Sequence, residues 1–157
     1  MDHQLDLAAV ARLMIDSNMY MVLGTADGSG RPWVSPLYFA ADGYTEFFWV
    51  SSPEATHSRN LTLRPEVSVV IFDPQVPIGT GQCVYMAAFA EEVSEGEVDR
   101  GIDTFSRMSV VHGGRAWARQ DVLAPAPYRL YRATASEHWA LDPTSHPDRR
   151  TRVTLGR

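Results

Sequence analysis

The chain has 157 residues, a formal net charge of −5 and a single cysteine, Cys83. One domain over 1–157 of this size buries roughly 68–70% of its unfolded surface, so its core needs neither a disulfide nor a structural metal. The lone cysteine excludes an intrachain disulfide and fits a reducing compartment, the acidic balance argues against nonspecific nucleic-acid binding, and no apolar run approaches the roughly 20 residues that span a bilayer; a cytoplasmic protein is expected.

Residues 5–15 predict a helix with Leu5, Ala9 and Leu13 on one face, Val10 and Met14 beside it, and Asn18 helping to end it. Met19 to Thr25 is a nearly continuous apolar strand closed by the turn Asp27-Gly28-Ser29-Gly30. Pro32 to Ala41 reads as the return strand, Asp42-Gly43 as a second hairpin turn and Tyr44 to Ser51 as a third strand.

The next stretch, WVSSPEATHSRNL over 49–61, carries the most information. A large apolar run (Phe47, Phe48, Trp49, Val50) ends in two serines and a proline, and a short polar helix with Thr56, His57, Arg59 and Asn60 follows. Ser52 before Pro53 predicts a capped start with proline at the first helical position, and Ser51 with Glu54 fits a capping box. Unpaired backbone N–H groups and the partial positive charge at a helix start attract anions such as phosphate. A well-capped helix with no ligand accounts for the same pattern.

That helix must end by Arg64, because Pro65 disfavours helix before it. Val67 to Phe72 is a fourth strand, Pro74 to Gly81 a loop, and Gln82 to Val93 a fifth strand whose Cys83, Ala87, Ala88 and Ala90 let something bulky lie against it. Ser94 and Glu97 repeat the capping-box pattern before a helix with Val98, Ile102, Phe105 and Met108 on one face. A second short helix is expected around Arg115 to Asp121, then strands from Tyr128 to Leu141 and Arg150 to Leu155.

Strands joined by tight turns pair antiparallel, so the expected fold is mainly β with some α. It is a six- to seven-stranded antiparallel barrel with helices packed outside. Met19 to Leu23 and Phe47 to Val50 are apolar on both faces, and water-facing antiparallel strands normally alternate. The surplus apolar face predicts a homodimer, unless the two longer helices cover it.

The usual catalytic signatures are missing: there is no nucleophile elbow and no phosphate-binding P-loop, and Gly79-Thr80-Gly81 lacks a third glycine and a following helix. His3, His57, His112, His138 and His146 are scattered without metal-ligand spacing, so no metal is expected. His112-Gly113-Gly114-Arg115 reads either as an anion-binding concavity or as a glycine-rich surface loop. Trp139 either meets a planar ligand or ends a core strand, and Gln82 can offer one acceptor and two donors.

Taken in order, DGSGRPWVSPLYF, YTEFFWVSSPEATHSRNL, RPEVSVVIFD and GQCVYMAAFAEEV resemble the pyridoxamine 5'-phosphate oxidase-like, FMN-binding split-barrel family over about residues 5–95. The resemblance continues more loosely from Tyr128. It implies a homodimer holding FMN between subunits and an FMN-dependent oxidoreductase acting on a small-molecule substrate. Trp33, Val34, Ser35 and Pro36 would then line the isoalloxazine and ribityl chain, partly through backbone groups. Ser51 and Ser52 would meet the phosphate or ribityl end, Thr56 and His57 would grip the phosphate with Asn60 one turn on, Gln82 would reach the ring, and Trp139 would come from the partner subunit. No catalytic side chain is implied, because the flavin carries the redox chemistry.

One position departs from the family pattern: His57 stands where lysine is common, and a bound phosphate would be expected to raise its pKa. The Arg-x-His substrate signature of the true oxidases has no counterpart in YRATASEHWALDP. Alternatives on the same fold are a reductase using the deazaflavin coenzyme F-420 and a non-catalytic flavin- or ligand-binding protein.

Overall fold

The structure, a computed structural model, describes residues 5–157. Helix α1 (Leu7–Ser17) starts at Asp6, whose carboxylate accepts from Ala9 N at 3.1 Å. It ends at Asn18, whose Nδ2 donates to the Met14 carbonyl at 2.8 Å. Its buried face is Val10, Ala11, Met14 and Ile15, not the expected Leu5–Ala9–Leu13 stripe, which lies exposed. Apolar residues run round more than half of this helix, and the bulkier contiguous stripe is the one that docks.

Eight strands follow: β1 (Tyr20–Ala26), β2 (Pro32–Tyr38), β3 (Ala40–Asp42), β4 (Glu46–Ser51), β5 (Glu66–Phe72), β6 (Cys83–Glu92), β7 (Arg129–Asp142) and β8 (Arg149–Val153). All pairings are antiparallel, in the order β2-β1-β5-β6-β7-β4-β3 with β8 on β7. Strands β2 and β3 are the two edges of this sheet, yet only Phe39 separates them in the chain. The sheet must therefore curl until its edges nearly meet, which makes it a split barrel. The expected return strand Pro32 to Ala41 is broken at Phe39 for the same reason: there the chain leaves one edge for the other.

Met21, Leu23, Phe47, Trp49, Val69, Ile71, Val84, Met86 and Tyr131 fill the barrel, with α1 packed on the same core. A second core lies outside it, where helix α3 (Val98–Val111) sets Val98, Ile102 and Phe105 on Phe48 and Leu130. This explains why β4 is apolar on both faces: Phe47 and Trp49 point in, and Phe48 lies under α3. Gly101 permits the approach, since a Cβ there would sit 2.8 Å from both Leu130 Cδ2 and Phe48 Cε1. Arg132, nearly buried on β7, ties the helix to the barrel through Glu46, Glu91 and Glu97.

Neither expected capping box forms. Helix α2 (Thr56–Leu63) begins four residues beyond Ser52, with Ala55 at its N-cap and no side-chain cap. Ser52 to Ala55 form a turn instead, in which Ser52 Oγ accepts from Glu54 N at 3.1 Å. At α3 the N-cap is Glu97, and Ser94 Oγ bonds the Glu97 carboxylate rather than a backbone N–H. The helix expected around 115–121 is a single 3-10 turn, Arg119–Asp121. Gly113, at φ +84°, and Gly114 close the end of α3, their N–H groups donating to Val110 and Ser109 carbonyls. Arg115 stacks on Trp117 at 3.6 Å and pairs with Asp121, so this loop is a helix stop with its cation already engaged. Among the described residues no helix is long and apolar enough to cross a membrane.

Candidate functional site

Strand registers place two rows of side chains on the outer face of the sheet. One runs Val34, Gly24, Ser68, Ala87, Glu137; the next runs Pro36, Val22, Val70, Tyr85, Trp139, Arg152. Neither long helix covers them, and Val34 is 66% exposed. A groove of about 540 Å³ opens along this face, lined by Thr25, Trp33, Val34, Glu66, Ser68, Ala87, Phe89 and Ser136 among others. A second hollow of about 440 Å³ continues it past Val22, Val34, Tyr85 and Trp139. Small residues at the centre, Gly24, Ser68 and Ala87, make the floor low enough for a flat molecule, and the larger ones stand at its rim.

Helix α2 adjoins one end of the groove. Asn60 Nδ2 donates to Thr25 Oγ1 at 3.1 Å, and Thr25 Oγ1 donates to the Trp33 carbonyl at 3.4 Å. The chain of bonds thus couples α2 to β1 and holds β2 at the residue that lines the groove. Trp33 Nε1 donates to Ser35 Oγ at 3.1 Å, steadying the half-exposed indole. On the other side of α2, Ser51 Oγ and His57 Nε2 share a hydrogen bond of 2.9 Å.

His57 is only 9% exposed, and burial pushes its pKa below the ordinary 6.5. The ring is therefore neutral at pH 7, with one nitrogen committed to Ser51. In the protein by itself the ring feels burial alone; the rise expected at His57 is one that a bound phosphate would produce. Arg59, the nearest cation on the helix, reaches outward to Glu54. What α2 does offer is neutral donors: a first turn with no side-chain cap, the exposed Thr56, and the half-buried Ser51 and Ser52. Ser58, 1% exposed, carries a hydroxyl with no hydrogen-bond partner among the described residues.

The structure thus brings Trp33, Val34 and Trp139 to the groove, with Pro36 on the same outer row. Ser51, Ser52, Thr56 and His57 gather at the start of α2. Two residues turn away: Ser35 faces inward with its hydroxyl bound by Trp33, and Asn60 is buried against Thr25. Gln82 precedes β6 at the end remote from Phe89 and lines neither hollow. Sequence reasoning missed Thr25, Glu66, Phe89 and Ser136. Ser136 had no signal at all: it is the extra residue of a β-bulge, since Ala87 pairs with Glu137 but Ala88 with Ala135.

The curled sheet with its uncovered apolar groove and adjoining polar helix defines a split-barrel protein. A family model described as pyridoxamine 5'-phosphate oxidase matches residues 7–142, and the chain belongs to that family. No curated protein matches the sequence at a significant level. Among solved structures the chain is similar to a heme-binding protein from Mycobacterium smegmatis, at 18% identity and a TM-score of 0.71 over 97% of this chain and 59% of that one. It therefore spans about three-fifths of that protein's length. It is also similar to a FAD-binding protein from Mesorhizobium loti (19% identity, TM-score 0.59, 82% of this chain and 87% of that one). An F420 reductase matches with 18% identity and a TM-score of 0.56 over 76% of this chain and 88% of that one. Identities this low establish the shared fold.

Proposed function

We propose that the chain is an FMN-dependent oxidoreductase, working as a homodimer with the flavin in the groove between two copies. The observation that carries this reading is the junction at Thr25, where Asn60, one turn past the uncapped start of α2, is hydrogen-bonded to the edge of a long apolar groove. A flavin phosphate is an anion on a flexible tail, and its ring is flat and largely apolar. The residues fit both parts. Backbone N–H groups at Thr56 and His57 with the hydroxyls of Ser51, Ser52 and Thr56 would receive the phosphate. Trp33, Val34, Ala87 and Trp139 would enclose the ring. When bound, the flavin supplies reversible two-electron chemistry. The protein's own part is to exclude water and fix the ring's orientation.

The apolar outer rows support the second copy. Antiparallel strands that face water normally alternate, whereas Val34, Pro36, Val22, Val70 and Trp139 do not. A Val34→Glu substitution is expected to give monomers in sedimentation and to abolish flavin uptake together. The central test is the visible absorbance of freshly purified protein, followed by FMN titration and mass spectrometry of any released molecule. Flavin absorbance recovered on titration supports the reading. Colourless protein that takes up no FMN rejects it. A deazaflavin absorbs at shorter wavelength, so the same spectrum separates the coenzyme F-420 alternative. The neutral His57 favours one second reading, a ligand-binding barrel without turnover, because it leaves the phosphate with no fixed cation.

A further inference from the structure

The groove has a polarity of its own. Four polar side chains besides the tryptophan line the larger hollow: Thr25, Glu66, Ser68 and Ser136. The Thr25 hydroxyl proton goes to the Trp33 carbonyl, the Trp33 N–H to Ser35, and the Ser136 hydroxyl proton to the Ala87 carbonyl at 3.2 Å. Glu66, paired in register with Phe89, is an exposed carboxylate with no ion-pair partner among the described residues. Ser68 alone keeps an uncommitted proton. An ionised carboxylate only accepts, and a hydroxyl whose proton is committed can only accept from a ligand. The bulge that lifts Ser136 from the ladder therefore places an acceptor beside Ala87, and Glu66, next to Phe89, adds negative charge to the same hollow. Among the described residues no basic side chain lines this hollow, and Arg64 lines the adjoining one.

We infer that this end of the groove selects a flat aromatic molecule presenting N–H donors or a positive charge to Glu66 and Ser136, and rejects anions. On the flavin reading, on which the word substrate rests, the substrate is an uncharged or cationic aromatic amine or nitrogen heterocycle. A phosphorylated or carboxylated molecule would bring its charge against Glu66, while the neighbouring Arg64 is turned to the Gly28 carbonyl at 3.1 Å. The exposed Phe89 favours the cation further.

The test uses the full chain, with and without saturating FMN, and two three-ring fluorescent probes of opposite charge: proflavine, a diamino cation, and anthracene-2-carboxylate. Proflavine is expected to bind about tenfold more tightly, since one unit charge at close range in a water-exposed site is worth about that order. Glu66→Gln should remove most of this ratio. Asp103→Asn, an equal charge change on the exposed face of α3, should leave it. Ser136→Ala should weaken proflavine by about threefold and leave the carboxylate unchanged. Equal or tighter binding of the carboxylate overturns the inference, and so does an equal effect of Glu66→Gln and Asp103→Asn, which would mark general attraction to an acidic protein. Loss of the preference once FMN is bound overturns the substrate assignment. A chain that refuses FMN yet keeps the preference sinks the flavin reading and upholds the polarity of the groove.

Discussion

Asn60 on α2 and Thr25 on β1 are 35 positions apart and joined side chain to side chain at 3.1 Å, both buried. Through Thr25 the bond reaches the Trp33 carbonyl, so a helix residue governs where β2 sits at the groove. Asn60→Ala is expected to cost about 1–3 kcal/mol in urea unfolding, since it strips a buried hydroxyl of its donor. Flavin uptake should fall with it. Asn60→Leu combined with Thr25→Val should recover much of the stability, because removing both partners leaves no orphan, but should not recover uptake.

Two histidines, His57 buried and His138 partly so, set an acid limit. Burial lowers the pKa of His57, and burial outweighs the hydrogen bond to the Tyr44 carbonyl at His138, so both lie below the ordinary 6.5. The unfolded chain then binds protons more readily, and stability rises with pH through this window. Their contribution is present above pH 6.5 and lost as pH falls through the lowered folded values. Thermal unfolding from pH 7.5 to 5 should show a falling midpoint, flattened in His57→Gln and His138→Gln. Glu46, held below its usual 4.5 chiefly by Arg100, acts in a separate window, its contribution being lost only as pH falls below 4.5.

Replacing the neutral ring with a fixed charge tests the phosphate end. His57→Lys is expected to tighten FMN binding by about tenfold or more, since a hydrogen bond to a charged group contributes about 1.5–3 kcal/mol. The gain should shrink in high salt. Unchanged affinity, measured by fluorescence quenching of FMN, would place the phosphate elsewhere.

Gly101 reverses an ordinary rule. Glycine to alanine in a helix interior normally stabilises by about 1 kcal/mol. Here the added methyl would meet Leu130 and Phe48, both nearly fully buried, so Gly101→Ala should destabilise by about 1–3 kcal/mol in chemical denaturation.

Much of the fold was legible in the chain. Asp27-Gly28-Ser29-Gly30 and Asp42-Gly43 are turns because their residues adopt the needed geometry unaided, and the apolar runs between such turns are strands. The capping signals misled, since Ser52 and Ser94 had competing partners nearby. The Leu5 stripe misled because several faces of α1 were apolar and only the barrel could choose. Of the residues lining the groove, Trp33 and Val34 were named by the family pattern, whereas Glu66 and Ser136 carried no local mark.

Short-range chemistry along the chain settled the turns at Asp27 to Gly30 and at Asp42-Gly43 and the apolar runs between them that become strands, because those choices are made among neighbouring residues. Only the tertiary structure decided that Gly24, Ser68 and Ala87 form one floor, that Asn60 holds Thr25, and that His57 is neutral. Those facts depend on register and burial, which arise between residues far apart in sequence and have no value until the sheet has closed around its core.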